Sequence, residues 1–304
     1  MRVKKPLVSI IMNCYNSDRF LREAIESVYS QTYSNWEVIF WDNASTDNSA
    51  SIANSYDERI KYYLATKTTP LGEARNFALR NVSGKYIAFL DCDDLFLPEK
   101  LQKQVELMEI LKVPLCYGSA LIIDEGGFEV KRSKVKNKSG YIFDRLLKHY
   151  EINMQSVMIE SGYLAKQDLN FSRDLKYCPD YNLFMEICSK SEVGVIHDFI
   201  VKYRFRKNSL SSKTLDLAPV EIKYTLDNIL NHNPDFKEKY PKQIKLAYSK
   251  VVYYKAIYCI KQKKFKEAQY ILRKIILIKW QYLALYFILF FPFIPNFFIK
   301  IIRK

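Results

Sequence analysis

Leu7 to Met12 (LVSIIM) is a short apolar run, and Asn16-Ser17-Asp18 behind it offers caps to a helix from about Arg19 to Ser30. Within that helix Phe20, Leu21, Ala24, Ile25 and Val28 recur at the spacing of one buried face. Glu37 to Trp41 predicts a second strand, and Ser45 a cap for a helix running towards Ser55. Ile60 to Leu64, Leu71 to Arg80 and Lys85 to Leu90 then predict strand, helix and strand. Pro98 suits the first turn of a further helix reaching about Leu111. Such alternation predicts an α/β fold with a mostly parallel sheet and helices on both faces. Ligands of these sheets bind beyond the carboxyl ends of the strands. Asn13, Asp42 and Asp91 fall there.

Beyond Leu115 the pattern loosens into strands and loops, with a polar, basic stretch from Lys131 to Lys138. A helix from about Asp180 to Lys190 and strands near Val193 and Val201 follow. Lys207 to Leu217 is polar and reads as a mobile loop or linker. After it only helices are predicted, with Tyr248 to Lys261 and Phe265 to Ile278 forming an antiparallel pair across a Lys-rich turn. With Ala256, Phe265 and Ala268 this pair resembles a single tetratricopeptide-like unit, too little for a repeat array. Trp280 to Ile299 then runs 20 residues without a charge. Two domains are expected: residues 1–215 with the α/β pattern, and a helical extension over 216–304.

Charge sharpens that division. The chain of 304 residues carries +14, and 17 basic against 6 acidic residues in 216–304 place +11 of it in the extension. Nucleic acid and an anionic membrane are the two ordinary partners of such a segment. The uncharged run is long enough to span a bilayer, but Pro292 and Pro295 break it, and Lys279, Lys300, Arg303 and Lys304 flank both ends. Basic residues on both sides disfavour a single crossing and favour a segment lying in the plane of the cytoplasmic surface. A terminal helix buried on the rest of the protein is the competing reading. The six cysteines show no paired spacing, and Met-Arg-Val-Lys-Lys-Pro leads into an apolar run too brief for a signal peptide. Both features predict reduced thiols in a cytosolic compartment. His149, His197 and His232 share no metal-binding spacing, so surface or packing roles are expected.

Leu90-Asp91-Cys92-Asp93-Asp94 puts three carboxylates directly after a buried-looking strand. Like charges this close call for a cation or for raised pKa values. A hard divalent ion, Mg2+ or Mn2+, suits such oxygens and commonly bridges carboxylates to a substrate diphosphate. A solvated acidic turn ahead of the next helix is the bland alternative. The phosphate loop GxxxxGK[ST] and GxGxxG are both absent.

Read in order, VSIIMNCYN, WDNASTDNS and GEARNFALRNVSGKYIAFLDCDD resemble family 2 glycosyltransferases of the GT-A fold, strongly over Leu7 to Leu111 and weakly to about Ser212. The resemblance implies a Rossmann-like mixed sheet with flanking helices, and a metal-dependent enzyme taking a nucleotide-sugar, a UDP-sugar first, as donor. It puts Asn13 and Tyr15 on the nucleotide base, where the Tyr15 ring can also stack. Asp42 and Asn43 match the paired acidic site for base and ribose. Asn43 replaces the second acid, and an amide donates as well as accepts, which leaves the base open. Arg75 matches the arginine at ribose or diphosphate, Asp93 the metal ligand, and Asp91 a second contact to metal or ribose.

An inverting transfer also needs a carboxylate on the acceptor side. Asp180, in Tyr177-Cys178-Pro179-Asp180-Tyr181, sits at the matching place, with Pro179 where an acid is common; it would also cap its helix. Tyr203 to Ser211 resembles the family's closing segment, and Arg206 stands where a His is frequent. The implied acceptor is a lipid-linked or cell-envelope glycan, such as a lipopolysaccharide or capsule precursor. A second class of reading, a binding protein that keeps the fold without transfer, rests on Pro179 and Asn43; the intact donor motifs and Asp180 weigh against it. A nucleic-acid binder is a third, disfavoured because the tail's charge lies beside an apolar stretch and not among exposed aromatics.

Overall fold

The computed structural model describes residues 5–206 and 214–290. The chain divides into two compact units, one of Met1–Phe143 with Tyr150–Ser209, the other of Asp144–His149 with Leu210–Lys304.

The first unit is built on β1 (Val8–Cys14), α1 (Asp18–Tyr29), β2 (Trp36–Asp42), α2 (Ser49–Ala53), β3 (Ile60–Leu64), α3 (Leu71–Leu79) and β4 (Tyr86–Phe89). The order β3-β2-β1-β4 is parallel throughout, with Cys14 opposite Asp42 and Asp42 opposite Leu64. Side chains alternate across this sheet. Val8, Ile10, Met12, Val38, Phe40 and Ala88 meet Leu21, Ala24, Ile25 and Val28 of α1 in one core. On the other face Trp41 stacks on Phe77 of α3 at 5.1 Å between ring centres, and Phe89 meets the edge of Phe171 at 5.7 Å.

The parallel order that the alternation predicts is found in this half, and the rest of the unit makes the sheet mixed, as the resemblance to the GT-A fold implies. β5 (Leu95–Phe96), α4 (Lys100–Leu111), β6 (Leu115–Ile123), β7 (Glu129–Ser133), α5 (Phe143–Lys148), β8 (Met158–Glu160), α6 (Ser161–Lys166), α7 (Pro179–Lys190) and β9 (Gly194–Arg204) follow along the chain, α5 from Asp144 on belonging to the second unit. β8 runs antiparallel between β4 and β6, β9 is parallel to β6, and β5 is antiparallel to β9, which makes a mixed nine-stranded sheet among the described residues.

Three local expectations change. The helix after β2 starts at Ser49 behind Asn48, because Ser45 is used elsewhere: its hydroxyl accepts the Asn16 N–H at 3.0 Å and its own N–H meets Asp42. Pro98 precedes its helix, and its carbonyl takes the Thr32 N–H at 2.9 Å. The strands expected near Val193 and Val201 are the single β9, whose register against β6 jumps from Ile196 to Phe199. The Ser119 hydroxyl fixes that bulge by donating to the His197 carbonyl at 2.9 Å. α4 buries Lys100 completely; its ammonium donates to Gln104 at 2.5 Å and faces the Phe96 ring, and burial pulls its pKa down to about 7.

The second unit holds α8 (Ala218–His232), α9 (Phe236–Lys239), α10 (Pro241–Lys261), α11 (Phe265–Leu272) and α12 (Trp280–Ile288). The first helix of the expected pair begins seven residues earlier than Tyr248, with Pro241 at its first turn. Lys263, at φ 60°, closes it in the left-handed conformation that glycine usually supplies. Fully buried Ala256 and Ala268 let α10 and α11 approach, and Ile260, Leu272, Tyr282 and Leu285 complete the core. The uncharged stretch from Trp280 is thus partly core through Tyr282 and Leu285, while Leu277, Trp280, Phe287 and Phe290 stay exposed. Its residues 291–299, with Pro292 and Pro295, lie outside the described residues. Among the described residues no helix is long and apolar enough to cross a membrane.

Candidate active site

The loop Asp91–Asp94 follows β4 at the carboxyl edge of the parallel strands. Each carboxylate meets an arginine. Asp91 Oδ1 lies 3.4 Å from the buried Arg75 of α3, Asp93 Oδ2 lies 2.8 Å from Arg206 Nε, and Asp94 Oδ1 accepts the Arg204 backbone N–H at 2.7 Å. The Arg206 N–H is not aimed at its oxygen, so that contact is one of charge and not a hydrogen bond. Burial and then the neighbouring Asp91 raise the Asp93 pKa, against Arg206 and Arg204; Asp94 is driven higher by burial, Asp93 and Asp91. Raised carboxylates crowded together mark a place where added positive charge binds favourably.

Two groups here were not anticipated. Gln155, buried on a 3-10 turn (Met154–Ser156), accepts the Asp91 N–H at 2.9 Å and donates to Asp91 Oδ2 at 2.5 Å. Arg204 donates to the Asp93 carbonyl at 2.9 Å and to Glu23 at 2.9 Å, and stacks over Phe20. A lone Gln and a lone Arg carry no periodic or motif signal. The nearest hint was the YRFR segment, read for Arg206.

The donor-side candidates divide into engaged and open groups. Asp42 is fully buried, with Oδ1 accepting the Ser45 N–H at 2.8 Å and Oδ2 the Tyr62 hydroxyl at 2.7 Å. Asn43 is locked to Thr69, donating to its carbonyl at 2.8 Å and accepting its N–H at 3.1 Å, which pins the segment entering α3. Asn13 is the contrast: both amide atoms are buried without a hydrogen-bond partner among the described residues. Tyr15 projects with 52% of its surface exposed. An unpaired buried amide is costly unless something completes it.

Asp180 occupies the first turn of α7, directly after Pro179. Burial raises its pKa, while Arg75 and the amides of Asp180 and Tyr181 oppose the rise and Asp91 adds to it. Asp180 therefore lies within electrostatic reach of the Arg75–Asp91 pair. Gly72 makes this approach possible, since a Cβ there would lie 2.7 Å from the Ser172 carbonyl and 3.4 Å from Pro179 Cβ. Any side chain at 72 would push α3 away from the Ser172 backbone in the segment leading to α7.

For a divalent cation the donor set fits in part: among the described residues no three His, Cys, Asp or Glu side chains converge on one point. Asp93 and Asp91 could supply one or two ligands and leave the rest to a diphosphate, the usual manner of Mg2+ binding.

The fold is that of the GT-A glycosyltransferases. The profile described as "Glycosyl transferase family 2" matches residues 9–163, and the chain belongs to that family of glycosyltransferases. The chain is 34% identical over 209 residues, 68% of its length and 80% of the relative's, to the UDP-Glc:alpha-D-GlcNAc-diphosphoundecaprenol beta-1,3-glucosyltransferase WfgD of Escherichia coli. In fold it is similar to S. aureus TarS 1-349 in complex with UDP-GlcNAc, at a TM-score of 0.58 and 19% identity, covering 81% of each chain. It is also similar to the mannosyltransferase PcManGT from Pyrobaculum calidifontis in complex with GDP-Man and Mn2+, at a TM-score of 0.62 and 17% identity over 94% of this chain and 84% of that one.

Proposed function

We propose that this glycosyltransferase inverts configuration and moves a sugar from a UDP-sugar to a hydroxyl of a lipid-linked or envelope glycan. The observation that carries the reading is Asp180 lying in the field of Arg75 and Asp91, which joins an acceptor-side base to a donor-side clamp. Asp180 takes the proton of the acceptor hydroxyl, whose oxygen attacks the anomeric carbon from the face opposite the nucleotide. The bond to the diphosphate breaks, and Arg75, held by Asp91, which Gln155 fixes in turn, stabilises the departing charge. Asp93 and Asp91 would hold Mn2+ or Mg2+, which when bound supplies further positive charge to the diphosphate.

Uracil is supported by the unpaired Asn13 amide, whose donor and acceptor match an imide edge. The lipid-linked acceptor is supported by the name of the E. coli relative. The test is to incubate the enzyme with UDP-, GDP- and dTDP-sugars plus Mn2+ and identify the nucleoside diphosphate released. Release of UDP alone is expected; release from GDP- or dTDP-sugars only would overturn the base assignment.

The second unit is the membrane address in this reading, on the cytoplasmic face of the cell membrane. Its support is the concentration of basic residues in 216–304 and the exposure of Leu277 and Trp280. The enzyme should sediment with phosphatidylglycerol liposomes at low salt. Leu277→Glu with Trp280→Glu, both surface changes, should release it while nucleotide affinity stays unchanged. Wild-type enzyme that ignores such liposomes would end this part of the proposal.

A further inference from the structure

Beside Asp180 lies a polar group that the donor site does not use. The Tyr150 ring meets Tyr181, the residue after Asp180, edge-on with centres 4.8 Å apart and planes at 69°. Its hydroxyl oxygen is buried and has no hydrogen-bond partner among the described residues. The Asp180 charge, second only to burial, holds that phenol well above its ordinary pKa, so it stays a proton donor. The phenol thus lies within reach of the Asp180 charge, and no hydrogen bond joins the two groups. A buried hydroxyl left without a partner is rare in native proteins and is usually completed from outside the chain. Phenylalanine would fill the same space against Tyr181 without that cost.

We propose that Tyr150 binds the acceptor sugar, engaging a hydroxyl next to the one that attacks. This rests on the reading of Asp180 as the base. The attacking oxygen itself is a poor partner for Tyr150, because a donated hydrogen bond would draw electron density from the oxygen and weaken it as a nucleophile. A neighbouring hydroxyl has no such conflict, and holding it fixes which acceptor oxygen faces Asp180. In the step the attacking O–H gives its proton to Asp180, the C–O bond forms, and the diphosphate leaves with the electron pair of the broken bond. Tyr150 ends with the proton it began with. It sets acceptor regiochemistry, and its chemical target is a sugar bearing adjacent hydroxyls.

The test compares wild type with Tyr150→Phe, which keeps the ring contact and removes the hydroxyl. The probes are long-chain alkyl diphosphate esters of N-acetylglucosamine and of the common hexoses, with deoxy analogues of whichever sugar is turned over. Tyr150→Phe should raise the acceptor KM about tenfold, the scale of one lost hydrogen bond at about 1.4 kcal/mol per decade. Nucleoside diphosphate affinity and donor hydrolysis by water should stay at wild-type values. One deoxy acceptor should be penalised by wild type and no longer penalised by the variant. An unchanged acceptor KM, or equal penalties in both proteins for every analogue, overturns the proposal while leaving the transferase reading intact. Weakened nucleotide binding in Tyr150→Phe would put the residue on the donor side and overturn it too. Wild type that binds nucleotide but uses none of the probes counts against both readings, whereas wild type without nucleotide binding counts against the transferase reading first.

Discussion

Asp180→Asn should bind the nucleoside diphosphate as wild type does and transfer sugar about 10²- to 10⁴-fold more slowly, the usual consequence of removing a positioned base. Asparagine is nearly isosteric and itself suits the start of a helix, so the variant should fold normally; a lost helix cap would cost only about 1 kcal/mol. The two roles separate in one protein. A second readout comes from pH. Burial holds the Asp180 pKa above its ordinary value of 3.8. The ionised form is the base, so kcat/KM should fall as pH drops through that raised pKa, and the acid limb should vanish in Asp180→Asn. Transfer at a near wild-type rate by the folded variant would move the base elsewhere in the acceptor half.

Mn2+ should raise the affinity of wild type for a nucleoside diphosphate, and Asp93→Ala should abolish that gain. The loss should be at least 10- to 100-fold, on the order of what even outer partners of a metal ligand contribute. Affinity without the metal should be preserved, because Arg75 and Asn13 belong to other elements and no hydrogen bond or ion pair joins them to Asp93 among the described residues. Asp91→Ala is a poorer test, since it also releases Arg75 and Gln155. Calorimetry of wild type and variant, each with and without Mn2+, decides it. Equal affinity in all four titrations would remove Asp93 from any metal role.

The first four strands were legible because each is a short apolar run bounded by polar turns, and Ile60–Leu64 has the bounds expected. The face of α1 was legible for the same reason: its five apolar positions are the five it buries. The second half was harder, because its strands pair far along the chain and in both directions, which local pattern does not encode. β9 looked like two strands since His197 and Asp198 loop out at the bulge and break its alternation. In the site, the carboxylate cluster was conspicuous as a cluster, but its partners were not. Gln155 is a neutral amide on a turn, and Arg204 lies in an otherwise ordinary strand end. Asp42 was placed correctly at a strand end, but its alternation turns it into the Cys14 face, where Tyr62 and Ser45 take both oxygens. Lys100 shows the same limit: nothing in LPEKLQKQ distinguishes a buried lysine from its exposed neighbours.

The pairing of Asp91, Asp93 and Asp94 with Arg75, Arg206 and Arg204 has a consequence for how the site comes into being. Two of the three arginines follow the loop by more than a hundred residues, at the far end of β9. Until β6, β8 and β9 have joined the sheet, the loop would hold three mutually repelling carboxylates with only Arg75 to offset them. Closing so long a stretch of chain is slow and carries a large entropic penalty. A fragment of about 110 residues, although it contains every motif that marks the family, would therefore fold with its acidic loop uncompensated. The compensated loop is a property of the completed sheet, so it should assemble and melt with the whole first unit and not with its Rossmann-like half alone.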